Sequence, residues 1–225
     1  MYSLRKILVF ICRARQSLGF GVHSPFMYQL IVDVFYERLP FYSYDYLKRL
    51  EVIKELPSCS VKVNKLLFRL VNYFKPSTII ELGTGNGASA VWMSYAKKCD
   101  SIMTFSDTNL YEDRIRAFLS NYPAIKYVSS FSVEKIKCLL DKKDNCWDFV
   151  HIAHTDKYKE IFELLLGKAG PDTIVVIENI SKPAKRNWWK EIESDARTGI
   201  TVDLYDVGIV FFDKRHTKRA FKLIF

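Results

Sequence analysis

The chain has 225 residues, 49% of them hydrophobic and 26% charged. That excludes a disordered chain and suits one α/β domain with an added layer. The formal net charge is +9, but the cations are scattered, with short clusters only at Lys182–Arg186 and Lys214–Arg219. This reads as a solvated basic surface and argues against a nucleic-acid partner. The five cysteines are odd in number and form no C-x-x-C pair, which argues against a zinc ribbon and a secreted disulfide framework and for the reducing cytoplasm.

The apolar run Ile7–Ile11 is too short to span a bilayer. Arg13 and Arg15 follow it in place of a small-residue cleavage site, so the expectation is an amphipathic helix lying on the domain. Leu4, Ile7, Leu8 and Ile11 recur at helical spacing. After Gly19-Phe20-Gly21, Ser24-Pro25 reads as an N-cap followed by proline at the first helical position, with Phe26, Leu30, Val34 and Phe35 on one face. Further helices are expected over 45–56 and 61–74. Residues 1–75 thus read as an N-terminal helical extension, one able to pair two subunits as a homodimer, and 76–225 as the main domain.

Beyond Pro76 strands and helices alternate. Strands are expected at 78–82, 102–105, 125–128, 147–152 and 173–177. Helices are expected near 88–98, 111–121, 133–140, 156–166 and 185–196. This order predicts a doubly wound, Rossmann-like and mostly parallel sheet of seven strands. The runs at 201–205 and 208–212, with no helix between them, predict a C-terminal antiparallel hairpin, and 221–225 is one more extended run.

Glu81-Leu82-Gly83-Thr84-Gly85-Asn86-Gly87-Ala88 links the first strand to a helix. Glycines let a backbone turn sharply and approach a ligand, and a helix start presents free N–H groups. Gly83-x-Gly85-x-x-Ala88 fits a dinucleotide fingerprint, so an oxidoreductase is one reading. Glu81 ahead of the glycines completes E-x-G-x-G-x-G, which resembles motif I of class I S-adenosylmethionine-dependent methyltransferases. Asp148–Ile152, Gly170–Val176 and Val207–Phe212 look like that family's strand four, its passage into strand five and the last hairpin of its catechol-type O-methyltransferase branch. Gly21–Phe26 resembles the N-terminal extension of a group of bacterial proteins in that branch. The resemblance spans roughly residues 20–225.

It implies S-adenosyl-L-methionine as cofactor, held by Glu81, Gly83, Thr84, Gly85, Asn86 and Gly87. Ser106 or Asp107 would stand at the ribose and Ser130 beyond strand three. A small-molecule acceptor, with an attacking oxygen, is implied with it. The sequence also departs from the family. Ser106 stands where an acid normally ends strand two. Ala153 replaces the carboxylate ending strand four, and strand five ends Glu178-Asn179. Magnesium wants several hard oxygen ligands, so no metal is expected. His154 and Glu178 are the candidate bases of a metal-independent transfer. His151 lies on one face of strand four, while His23 reads as a capping or packing residue. Trp188-Trp189 reads either as helix packing, with one ring exposed, or as a stacking surface for a flat acceptor. Loss of the usual acids leaves a second reading open, a degenerate fold that binds a ligand or partner without catalysis.

Overall fold

The structure, a computed structural model, describes residues 13–14, 22–96, 101–108, 110–129, 131–142 and 147–225. The helix expected over 4–11 lies outside them. Ser24 is extended and its hydroxyl accepts from the Met27 amide, with proline in the first turn, so helix α1 (Pro25–Leu30) starts where the N-cap pattern placed it. It runs on into a π-helical turn, Ile31–Phe35. The helix expected over 45–56 is only α2 (Ser43–Leu47). The β-branched pair Val52-Ile53 and Pro57 both disfavour continuing it. Residues 51–60 are irregular, although Ile53, Leu56 and Cys59 are all buried. Helix α3 (Val61–Phe74) matches its expected bounds, capped by Ser60 and closed by a left-handed Lys75.

Strands and helices then alternate. They are β1 (Thr78–Leu82), α4 (Ala88–Ser94), β2 (Ser101–Phe105), α5 (Glu112–Leu119), β3 (Ile125–Val128), α6 (Val133–Lys142), β4 (Phe149–Ile152), α7 (Tyr158–Leu166), β5 (Ile174–Glu178) and α8 (Pro183–Ser194). The tail gives β6 (Thr201–Asp203), β7 (Val207–Phe211) and β8 (Ala220–Lys222). The sheet order is β3-β2-β1-β4-β5-β7-β6-β8. Strands one to five are parallel, and β7 pairs antiparallel with both β5 and β6. Among the described residues the sheet has eight strands where seven were expected, because β8 adds in parallel to β6 at the edge.

Side chains alternate between the two faces of the sheet, as period two requires. Ile79, Ile102, Phe149, Ile174 and Val176 join the core that also holds Leu30, Leu67 and Trp92 of α1, α3 and α4. Ile80, Val150, Ile152, Val175 and Ile177 join the opposite core, with Phe162 of α7 and Trp188 of α8. The chain order reverses between β1 and β4. Ligands in open α/β sheets bind outside the carboxyl ends of the strands at such a point.

Trp188 and Trp189 are both buried. Trp188 packs on Tyr158 and Phe162, and Trp189 lies over Gly208, so the helix-packing reading holds for both and neither is exposed. A Cβ at Gly208 would sit 2.5–2.9 Å from Trp189 ring carbons. Gly208→Ala therefore destabilises the fold by about 1–3 kcal/mol through overpacking. Equilibrium denaturation measures this, and an unchanged midpoint would contradict the packing.

Candidate active site

The strand register gathers a polar row on the face that carries α3 and α4. Glu81 lies opposite Thr104 of β2 and His151 of β4. His151 lies opposite Val176, and Glu178 stands two residues further along β5. All four positions share parity with Ile79, Ile102, Phe149 and Val176, so the row continues that core face up to the carboxyl ends of the strands.

The imidazole of His151 bridges the two carboxylates. Nδ1 is 3.0 Å from Glu81 Oε1, and Nε2 is 3.0 Å from Glu178 Oε1. His151 and Glu81 are wholly buried and Glu178 nearly so. A neutral imidazole has one donor and one acceptor, so two carboxylate contacts call for a proton on each nitrogen. Burial opposes that charge, but the bonds to Glu178 and Glu81 outweigh it and raise His151 to about 9. Burial pushes Glu178 up, and its bond to His151 more than offsets this, leaving it below the usual carboxylate range.

Glu81 has further partners. Its Oε1 accepts from Ser89 Oγ at 2.5 Å, and its Oε2 from Thr104 Oγ1 at 2.6 Å. Thr84 Oγ1 lies 2.7 Å from Thr104 Oγ1. Glu81 is thus a support beneath the glycine loop. Glu178 Oε1 also accepts from Cys59 Sγ, 2.6 Å away, and its main-chain oxygen accepts from Lys185 Nζ. Burial and then Glu178 push the Cys59 thiol well up. Burial pulls Lys185 down to about 8, and its ammonium lies 4.6 Å from the centre of the Tyr158 ring. Cys59, Ser89, Thr104 and Lys185 had no signal as site residues in the sequence. The strand register brings Thr104 here, helices α4 and α8 bring Ser89 and Lys185, and the 51–60 segment brings Cys59.

Gly83, Gly85 and Gly87 all have positive φ, at 95°, 53° and 80°, so the loop needs glycine there. The N–H groups of Gly83 and Thr84 donate to the Phe105 carbonyl. Asn86 N donates to the Pro57 carbonyl, and Asn86 Oδ1 accepts from Ala88 N at the start of α4. A Cβ on Gly85 would strike the Pro57 carbonyl oxygen and come within 2.7 Å of His154 Cδ2. The chain therefore covers its own loop, with Pro57 and the His154 ring above Gly85.

His154 lies just past β4, its Nε2 3.8 Å from Cys59 Sγ, and burial holds it below its usual value. Ser106 is spent on its own turn, donating to Thr108 O and accepting from Thr108 N. Asp107, next to it, is exposed at the end of β2. Ala153 is buried in the place of the absent carboxylate. Ser130 lies outside the described residues. His23 is exposed, and the capping is done by Ser24.

Solved structures share this architecture. The O-methyltransferase from Bacillus cereus, in complex with SAH, superposes with a TM-score of 0.62 at 16% identity, over 82% of this chain and 96% of its own. The O-methyltransferase TomG from Streptomyces achromogenes, in complex with SAM, gives 0.57 at 17%, over 69% and 81%. The SAH-bound methyltransferase PaMTH1 from Podospora anserina gives 0.56 at 15%, over 78% and 98%. The chain has a methyltransferase fold. No family model matches the sequence, and no curated protein does. Among the described residues no helix is long and apolar enough to cross a membrane.

His151→Leu leaves two buried carboxylates without their shared partner and costs about 3–5 kcal/mol. Thr104→Val removes one hydroxyl bond to Glu81 and costs about 1–3 kcal/mol. Urea denaturation of both variants checks the order, and a smaller loss for His151→Leu would contradict the bridge.

Proposed function

We propose that the chain is an S-adenosylmethionine-dependent methyltransferase that acts on a hydroxyl of a small molecule in the cytoplasm, without a magnesium ion. The observation that carries this reading is the loop Glu81–Gly87. Its three left-handed glycines stand at the carboxyl end of β1, at the switch point of a methyltransferase fold. The residues fit such a cofactor in part. The exposed Asp107 at the end of β2 is free for the ribose hydroxyls, a place Ser106 cannot take because its hydroxyl is already used. The face of Gly85 is filled by Pro57 and His154, so a ligand that reaches it displaces them.

When bound, S-adenosylmethionine supplies a methyl group on a sulfonium for in-line displacement. The loop backbone and Asp107 bind and orient, which is where most of the rate gain in such a transfer arises. His154 is the better base of the two candidates. Its imidazole is half-buried over Gly85, whereas Glu178 is committed to His151, Cys59 and the row beneath. Magnesium would have only Glu178 and the neighbouring Asn179 where the family's ligands stand, and the carboxylate of Glu178 is turned into the buried row.

A second reading, a fold that binds without catalysis, draws on the same cover. Glu81 is consumed internally and Gly85 is capped by the chain's own atoms. Calorimetric titration with S-adenosylhomocysteine separates cofactor binding from its absence. The proposal expects saturable binding, weakened about 10–100-fold in Asp107→Ala through loss of bonds to a charged acceptor. No heat of binding with folded protein would sink it. In an assay of labelled methyl transfer to a panel of phenolic and other hydroxylated small molecules, His154→Ala loses about 10²–10⁴-fold in rate. Its affinity for S-adenosylhomocysteine is not weakened, because the ring over Gly85 has gone. Binding with no transfer to any acceptor would favour the second reading.

A further inference from the structure

We propose that Cys59, His151 and Glu178 form a binding site for one zinc ion, beneath the segment that covers the glycine loop. The sulfur, one imidazole nitrogen and one carboxylate oxygen lie within 4.8 Å of one another, and all three residues are buried. Glu178 Oε1 is the shared corner, 2.6 Å from Cys59 Sγ and 3.0 Å from His151 Nε2. Zinc with its usual bond lengths holds tetrahedral ligand atoms about 3.4–3.6 Å apart. The two contacts to Oε1 open by about an ångström or less to reach that spacing, and the sulfur and the imidazole nitrogen lie within 4.8 Å of each other.

The chemistry of the donors selects the metal. One thiolate, one imidazole and one carboxylate suit zinc, whereas magnesium asks for an all-oxygen octahedron. The charges balance as well. Zinc displaces the Cys59 thiol proton and the His151 Nε2 proton to solvent, two positive charges for two. It thereby leaves the net charge of a fully buried cluster unchanged, and burial makes that condition strict.

The surroundings have the form that metal sites need. The other nitrogen of His151 is held by the Glu81 carboxylate, which Ser89 and Thr104 fix in turn. An imidazole oriented by a carboxylate in this way is the usual support of a zinc-bound histidine. Ser58 and Ser60, on either side of Cys59, are exposed, so an entry path opens when the 57–60 segment lifts. The ion would pin that segment to the ends of β4 and β5. His154 Nε2 lies 3.8 Å from the sulfur and stands outside the compact trio.

The inference does not depend on the methyltransferase reading, because metal content and cofactor binding are separate measurements. The full chain is purified with no metal-affinity step and no chelator, and its zinc is measured by mass spectrometry. One equivalent per chain is expected. Stripped protein reloaded with cobalt should show the intense near-ultraviolet band of a sulfur-to-cobalt transition. Cys59→Ala loses the zinc and the band, while Cys138→Ala, at an exposed thiol, keeps both. Folded wild-type protein that takes up no zinc, or gives cobalt no sulfur band, overturns the site, as does full zinc in Cys59→Ala. The wild-type cobalt spectrum decides the matter even where the variant does not fold.

Discussion

The structure depends on one electrostatic constraint, the burial of Glu81, His151 and Glu178 in contact at the carboxyl ends of three adjacent strands. Glu81 and His151 are wholly buried and Glu178 nearly so, and each bare charge would cost several kcal/mol in such a place. The imidazole bridge makes the burial tolerable. Hydroxyls from Ser89 and Thr104 and the Cys59 thiol take up much of the remaining acceptor capacity. The parallel register of β2, β1 and β4 is what sets these groups side by side. A slip of one residue would turn the row into the other, apolar core.

The glycine loop stands on this row and is closed from above. Its left-handed glycines curve the backbone away from the strand end, and the 51–60 segment returns over it to place a carbonyl on Asn86. The site is therefore a layered object, with charged support, turn and cover. Glu81 belongs to the support. Glu81, which the resemblance places at the cofactor, is here committed to Ser89, Thr104 and His151, so the proposed function leaves recognition to backbone groups and Asp107.

Much of the fold was legible because periodicity is a local property. Helix α3 and the first five strands follow from apolar spacing, and Ser24-Pro25 from capping chemistry. The helix expected over 45–56 failed because burial at spacing of three, as at Ile53, Leu56 and Cys59, also suits an irregular segment pressed onto a core. The eighth strand was readable as an extended run but not as a partner of β6, since pairing is set by distant chain. The same holds at the site. The loop could be read, and so could the loss of acids at Ser106 and Ala153. The commitment of Glu81, the part played by Cys59 and the burial of both tryptophans arise only when separate segments meet.

On the proposed function the covered glycine loop is a ligand site closed by the chain's own 57–60 segment. Hydrogen–deuterium exchange with and without S-adenosylhomocysteine reads this out. Ligand-dependent changes are expected at residues 57–60, 83–87 and 106–108, with the distant β6–β8 edge unaltered. Unchanged exchange at the loop and its cover, at ligand concentrations that saturate methyltransferases, would contradict it.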